Sequence, residues 1–408
     1  MNNGAATDMG KIESNSTGVA VESVPAKLSC TIMRGGTSKA VFLRDSDLPV
    51  GADDREQAIL AIFGSPDRRQ VDGLGGADPL TSKLAIIAPA GGFPDADTDV
   101  IYTFGQVGIQ DANVDWHSLC GNITSAVGLY AVQDKLAEIT APLTRVCVYN
   151  TNLKRKLWVE VPVDGNGPVQ VGDYAIPGVP GTGPKIMIDF LATAGAATGN
   201  LLPTGNAVDT LDVAGVGRIE ATLLDIGNAH VFIRASDVGL KGTESAAEID
   251  ADEALRSRLE AIRASGAVRM GMLEDAGQSV AQTPATPILV MVSPPAGYAS
   301  GTTGENVQAD DMDLVARAMF MQQMHKTYPG TSTVCTGVAA RVPGTLPYRF
   351  AREETREAAS VRIGHPAGVI ETETRISIEN GAVEVRRATL GRTARRLIDG
   401  QVYLPPMK

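Results

Sequence analysis

Short apolar runs recur along the chain, and their spacing predicts more strands than helices. Leu28–Met33 and Ala40–Leu43 read as strands on either side of the loop Arg34-Gly35-Gly36-Thr37-Ser38-Lys39. Asp53 and Asp54 are placed to cap a helix that runs through Ile62 and stops at Gly64-Ser65-Pro66. Leu84–Ala88, Asp99–Phe104 and Gln106–Ile109 continue the β pattern, as do the β-branched, alternating segments Arg145–Asn150 and Leu157–Pro162. Between them, Ile123, Ala126, Val127, Tyr130 and Ala131 follow helical spacing and predict a helix that begins directly after Cys120. Pro177–Gly205, dense in Gly, Pro and Thr, reads as a wrapping segment between two domains. Beyond it, Glu220–Leu224, His230–Ile233, Pro287–Val292, Ser360–Ile363 and Val369–Ile378 predict strands, while Ala251–Ser265 and Met312–His325 predict helices. Val383–Leu404 is again strand-like, and the expectation is that it returns to close the first domain. No βαβ rhythm runs through the series.

At 408 residues the chain is long enough for about two to three domains. A net charge of −11 argues against non-specific binding to nucleic acid or to an anionic membrane surface. No apolar run is long enough to span a bilayer. Met1 to Ala26 is rich in Asn, Gly, Ser and Thr and lacks the basic start and apolar core of a signal peptide, so it reads as a disordered tail. The four cysteines, Cys30, Cys120, Cys147 and Cys335, are far apart and form no C-x-x-C or Cys/His spacing. That speaks against a structural metal and a disulfide framework, and fits a reducing, cytoplasmic setting.

Cys120 carries the sharpest chemical signal. It stands at a helix start before Gly121 and Asn122, where free backbone N–H groups and the helix dipole favour a thiolate and an approaching anion. Against this, free cysteine is among the most buried residue types, so a packing role is the plain alternative. Cys335-Thr336-Gly337 before Val338-Ala339-Ala340 has the look of a counterpart, as if two halves each aimed a cysteine-led helix at one cleft. Lys83 follows a Gly-rich loop, Asp72–Pro79, and Arg34 lies between strand and Gly pair; surface exposure is the ordinary fate of both residue types. The Gly73–Gly76 loop lacks the order of a dinucleotide fingerprint, Lys83 is not in a P-loop, and no G-x-S-x-G elbow exists.

Taken in order, Met33-Arg34-Gly35-Gly36-Thr37-Ser38-Lys39, the run Asp72 to Lys83, Cys120-Gly121-Asn122, Leu202-Pro203-Thr204-Gly205-Asn206 and Gly364-His365-Pro366-Ala367-Gly368-Val369 resemble the PrpF family of the diaminopimelate-epimerase-like superfamily. The likeness spans Met33 to about Arg396. It implies an α+β fold of two similar domains, each a mostly antiparallel, barrel-like sheet around a central helix. The expected domains are 27–205, completed by 386–408, and 206–385, with the site in the cleft between them.

The family isomerises small unsaturated polycarboxylates (2-methylaconitate, 3-methylitaconate, aconitate and 4-oxalomesaconate among them) without metal or organic cofactor. Carried onto this sequence, Lys83 and Cys120 act on the substrate. Arg34, Thr37, Ser38, Ser82, Asn122 and the N–H groups of Gly121 and Asn122 are candidates to hold its carboxylates. His365 is a carboxylate contact or a turn residue. Cys335 is the candidate second thiol, although the residues after it depart from those of two-base epimerases, which speaks against a symmetric two-thiol mechanism. The expected partner is a small anionic carboxylate, with a homodimer left open. An amino-acid or hydroxy-acid racemase, or an anion-binding protein without catalysis, stands as the alternative.

Overall fold

Apolar alternation along the chain resolves into one long, curved ladder of strands. The computed structural model describes residues 27–95, 97–379 and 382–405, and the expected tail, 1–26, lies outside them. From the outer edge, Ala394–Tyr403 pairs with Lys27–Gly35, which pairs with Ser38–Arg44. Lys83–Pro89, Val100–Val107, Leu143–Asn150, Arg155–Asp164 and Ile186–Asp189 follow in turn. Ile186–Asp189 also pairs with Ala382–Arg392, and there a second series begins. It runs through Gly368–Glu379, Val361–His365, Leu314–Phe320, Ile288–Ser293, Asn228–Arg234 and Gly217–Ile226 to Asp209–Val213.

Read inward from its own outer edge, each series has the same pairing senses: antiparallel twice, parallel, antiparallel, parallel, then antiparallel twice. Each also encloses one helix at the same point of its order, Gly121–Gln133 in the first and Gly330–Ala339 in the second. The fold is therefore duplicated, as the resemblance implied.

The helix after Cys120 is buried all round, not on one face; every residue from Gly121 to Val132 is buried. Small residues make this possible. A β-carbon on Gly128 would collide with the Val159 side chain of the surrounding sheet. The second helix is buried along its whole length as well. A helix apolar and small on all sides belongs at the centre of a wrap, where it meets sheet in every direction.

One expected helix is corrected. Met312–His325 forms the strands Leu314–Phe320 and Gln323–Met324. Every residue of Leu314–Phe320 is buried, and apart from Arg317 the run is apolar at each position. Such a run has no period that separates strand from helix. The helix expected over Ala251–Ser265 is found at Glu253–Arg269, capped by the Asp252 side chain accepting from the Leu255 N–H. Among the described residues, no helix is long and apolar enough to cross a membrane.

Candidate active site

The two central helices point their N-termini at each other, and the space between them is a narrow cavity. Cys120 and Pro329 hold the residue position just before the respective helices, each followed by glycine. Both glycines stand at close approaches. A β-carbon on Gly121 would lie 2.9 Å from the Phe190 ring and 3.2 Å from the Thr331 nitrogen, and one on Gly330 would lie 3.3 Å from the Asn122 nitrogen. The first intrahelical bonds are Thr124 N–H to Cys120 O and Thr333 N–H to Pro329 O. The earlier N–H groups of both helices have no partner within their helix, and the two positive dipole ends meet across the cavity.

The walls come from matching places in the two halves. Ser38, Lys83, Cys120, Gly121 and Asn122 line one side; Asn228, Ile288, Pro329, Gly330 and Thr331 line the other. The equivalence follows from register, since Lys83 opens a strand parallel to Ser38–Arg44 just as Ile288 opens one parallel to Asn228–Arg234. Thiol and amine thus belong to the first half, opposite an apolar Ile288 and Pro329.

Lys83 is buried, its Nζ donating to Gln106 Oε1 at 2.6 Å and lying 5.3 and 5.0 Å from the ring centres of Phe104 and Phe320. Burial pushes its pKa down, opposed only in part by the charges of Cys120, Asp78 and Asp115. His325 also lines the cavity, and burial lowers its pKa to about 3, with Lys83 adding to the effect. Its Nδ1 accepts from the Thr327 N–H, so the neutral ring carries its proton on Nε2. Arg392 is fully buried and donates through Nε to Asn122 Oδ1 at 2.8 Å and through Nη1 to Gly391 O at 2.9 Å. Its pKa is pushed down to about 10 by burial, which leaves it a cation at neutral pH. Neither Lys83 nor Arg392 is ion-paired among the described residues.

The PrpF protein model matches residues 25–405. The chain belongs to the PrpF family. It is 47% identical to 3-methylitaconate isomerase of Eubacterium barkeri, over 94% of this chain and 98% of the relative. Identity to 2-methyl-aconitate isomerase of Shewanella oneidensis is 38%, over 93% and 97% of the two chains. Among solved structures, a methylitaconate-delta-isomerase superposes with a TM-score of 0.75 at 46% identity, covering 94% of this chain and 96% of that one.

Of the residues singled out by this PrpF-type sequence, Lys83, Cys120, Gly121, Asn122 and Ser38 come together in the cavity. Thr37 stands just behind, its Oγ1 accepting from Asn122 Nδ2 at 3.0 Å, while Ser38 Oγ lies 3.4 Å from the same nitrogen. With Arg392 on its oxygen, the Asn122 amide is oriented from both ends. Arg34 does not join them. It is committed to the carbonyls of Gly36 and Thr393 at 3.0 and 2.9 Å, and lines a different surface depression. Ser82 is buried and donates to Gln70 Oε1 at 2.6 Å, tying the Gly-rich loop together.

His365 is buried beyond the cavity wall against Tyr328, its Nδ1 accepting from the Ala367 N–H. Cys335 is corrected most plainly. It sits in the middle of its helix, fully buried, with Sγ 3.8 Å from Leu224 O, and burial raises its pKa well above the ordinary thiol value. The counterpart of Cys120 is Pro329, six residues earlier.

Sequence reasoning passed over Gln106, His325 and Arg392. Arg392 carried a signal, because Ala388, Leu390 and Arg392 fall on one face of a strand and the first two are apolar. Gln106 was visible only as a polar residue within a strand. His325 was hidden by the mistaken helix.

Proposed function

We propose that this chain is a cofactor-independent isomerase of a small unsaturated polycarboxylate, working by proton transfer through a dienolate. The observation that carries the reading is a narrow cavity in which an amine and a thiol meet two helix N-termini, backed by a buried, unpaired arginine. Uncompensated buried cations are costly, and a polyanionic substrate supplies the missing charge. The activities named for the relatives at 47% and 38% identity support the same class.

Lys83, whose ammonium form burial disfavours, takes a proton from the carbon next to the C=C–COO⁻ unit. The C–H electrons enter the conjugated system, and the Cys120 thiol returns a proton at its far end. Proton exchange between the resulting ammonium and thiolate restores both groups. The N–H groups of Gly121, Asn122, Gly330 and Thr331, together with His325 Nε2–H, face the region where the dienolate charge develops, which is the most effective place for preorganised donors. Arg392 reaches the substrate's neighbourhood through Asn122. Such a reaction moves only a proton and a double bond, so it needs neither redox chemistry nor an organic cofactor. The two halves supply one wall each, and the setting is the cytoplasm. A racemase is disfavoured because Pro329 stands where a second thiol would be.

The test is deuterium incorporation from D₂O into a panel of methylitaconate, methylaconitate, aconitate and oxalomesaconate, followed by NMR. Exchange with double-bond movement in at least one acid is expected. Saturable binding with no exchange in any of them would reduce the protein to an anion binder, and exchange with stereoinversion of an amino or hydroxy acid would make it a racemase.

A further inference from the structure

Lys83 and Gln106 face each other directly across two antiparallel strands, Lys83–Pro89 and Val100–Val107. Gln106 is buried, and its amide has only one orientation available. Nε2 donates to Pro79 O at 3.2 Å and to Ser82 O at 3.1 Å, which turns Oε1 onto the Lys83 Nζ at 2.6 Å. The amine also lies over the rings of Phe104 and Phe320, 5.3 and 5.0 Å from their centres. In the second half the equivalent positions are Ile288 and Phe320, both apolar, so this polar pair is not demanded by the fold.

We propose that Gln106 is the positioning residue of the proton-transfer lysine: a neutral acceptor, locked by two backbone carbonyls, that aims Nζ into the cavity without pairing it to a carboxylate. The proposal rests on the reading of Lys83 as the base. A neutral partner satisfies one amine hydrogen while leaving the lone pair free for the substrate proton. A carboxylate at the same distance would hold the nitrogen as ammonium. The charged or titratable groups that bear on Lys83 from the packed elements are Cys120, Asp78, Asp115 and His325, and none is its hydrogen-bond partner. Desolvation of the amine acts in the same direction as the neutral partner.

The experiment compares the pH profile of kcat/KM in wild type, Gln106→Glu, Gln106→Met and Lys83→Ala. It adds the ¹³Cε titration of Lys83 by NMR, assigned by its loss in Lys83→Ala. In Gln106→Glu the acidic limb and the Lys83 titration both move up by about one unit or more, as an adjacent opposite charge requires, and kcat/KM at neutral pH falls correspondingly about tenfold. In Gln106→Met the limb does not rise, while kcat falls and KM is retained, because the amine is no longer aimed. If both folded variants keep the wild-type limb, titration and kcat while Lys83→Ala is inactive, Gln106 has no such role. Should Lys83→Ala itself retain turnover, the base assignment fails on its own, and the NMR titration still decides whether Gln106 governs the lysine.

Discussion

Replacing Lys83 by methionine separates what the amine does for catalysis from what it does to the fold. The nitrogen is buried near two phenyl rings with a single amide acceptor, so its charged form is disfavoured and its pKa lies below the ordinary 10.5. Below pH 10.5 the unfolded chain binds a proton at this lysine that the native state refuses. Wild-type stability therefore falls by about 1.4 kcal/mol for each pH unit below 10.5, until the native value is reached and the loss levels off. Methionine removes this linkage and suits the apolar box, but it leaves Gln106 Oε1 without its donor, at a cost of about 1–3 kcal/mol.

The two effects differ in pH dependence, and that makes the prediction sharp. Near pH 10 the variant is less stable than wild type. As pH is lowered toward 7, the difference shifts in favour of Lys83→Met, in the direction that a lowered amine pKa requires. Turnover is meanwhile lost by at least about a hundredfold, the usual scale for a general acid or base. Urea unfolding of both proteins at pH 7, 8.5 and 10 measures the difference. A stability difference that stays constant across that range would show that Lys83 titrates in the native state as it does in water, and the argument for a neutral amine would fall with it.

Two further expectations concern other side chains. Cys120→Ser is expected to lose turnover while Cys335→Ala keeps it, because one thiol lines the cavity and the other is enclosed in its helix; the reverse result in a steady-state assay would restore a two-thiol mechanism. His230 is fully buried between Asn228 O and Ser332 Oγ, each at 2.8 Å, and burial lowers its pKa from 6.5 to about 4. The unfolded state protonates first as pH falls through 6.5, so this residue alone destabilises the fold by about 2 kcal/mol between pH 8 and 5. Urea unfolding of His230→Gln at those two pH values should show a fall smaller by that amount, and an unchanged fall would refute the assignment.

The local sequence determined that this chain is strand-rich, that a helix starts after Cys120, and that Lys83 and Cys120 follow loops able to approach an anion. These are properties of short segments, where period, caps and glycine placement act within a few residues. What segments could not reveal was partnership. Leu314–Phe320 is apolar on both faces because both are covered: Leu314, Ala316 and Ala318 share a core with Val334 and Val338 of the central helix, and Met319 shares another with Leu259 and Ile262 of the helix Glu253–Arg269, all brought there from elsewhere in the sequence. The duplication was faintly visible, but short Cys/Gly/Ala similarity aligned Cys335 with Cys120, whereas the order of strand pairing aligns Pro329 with it. Arg34 stood in a conspicuous loop yet spends its donors on Gly36 and Thr393, while Arg392, 270 residues beyond Asn122, supplies the buried cation. Only the closing of the ladder, with Ala382–Arg392 returning beside Ile186–Asp189, brings that arginine to the helix N-terminus. Hydrophobic pattern governs which face of an element is buried, but which charges meet there depends on chain crossings that no local pattern encodes.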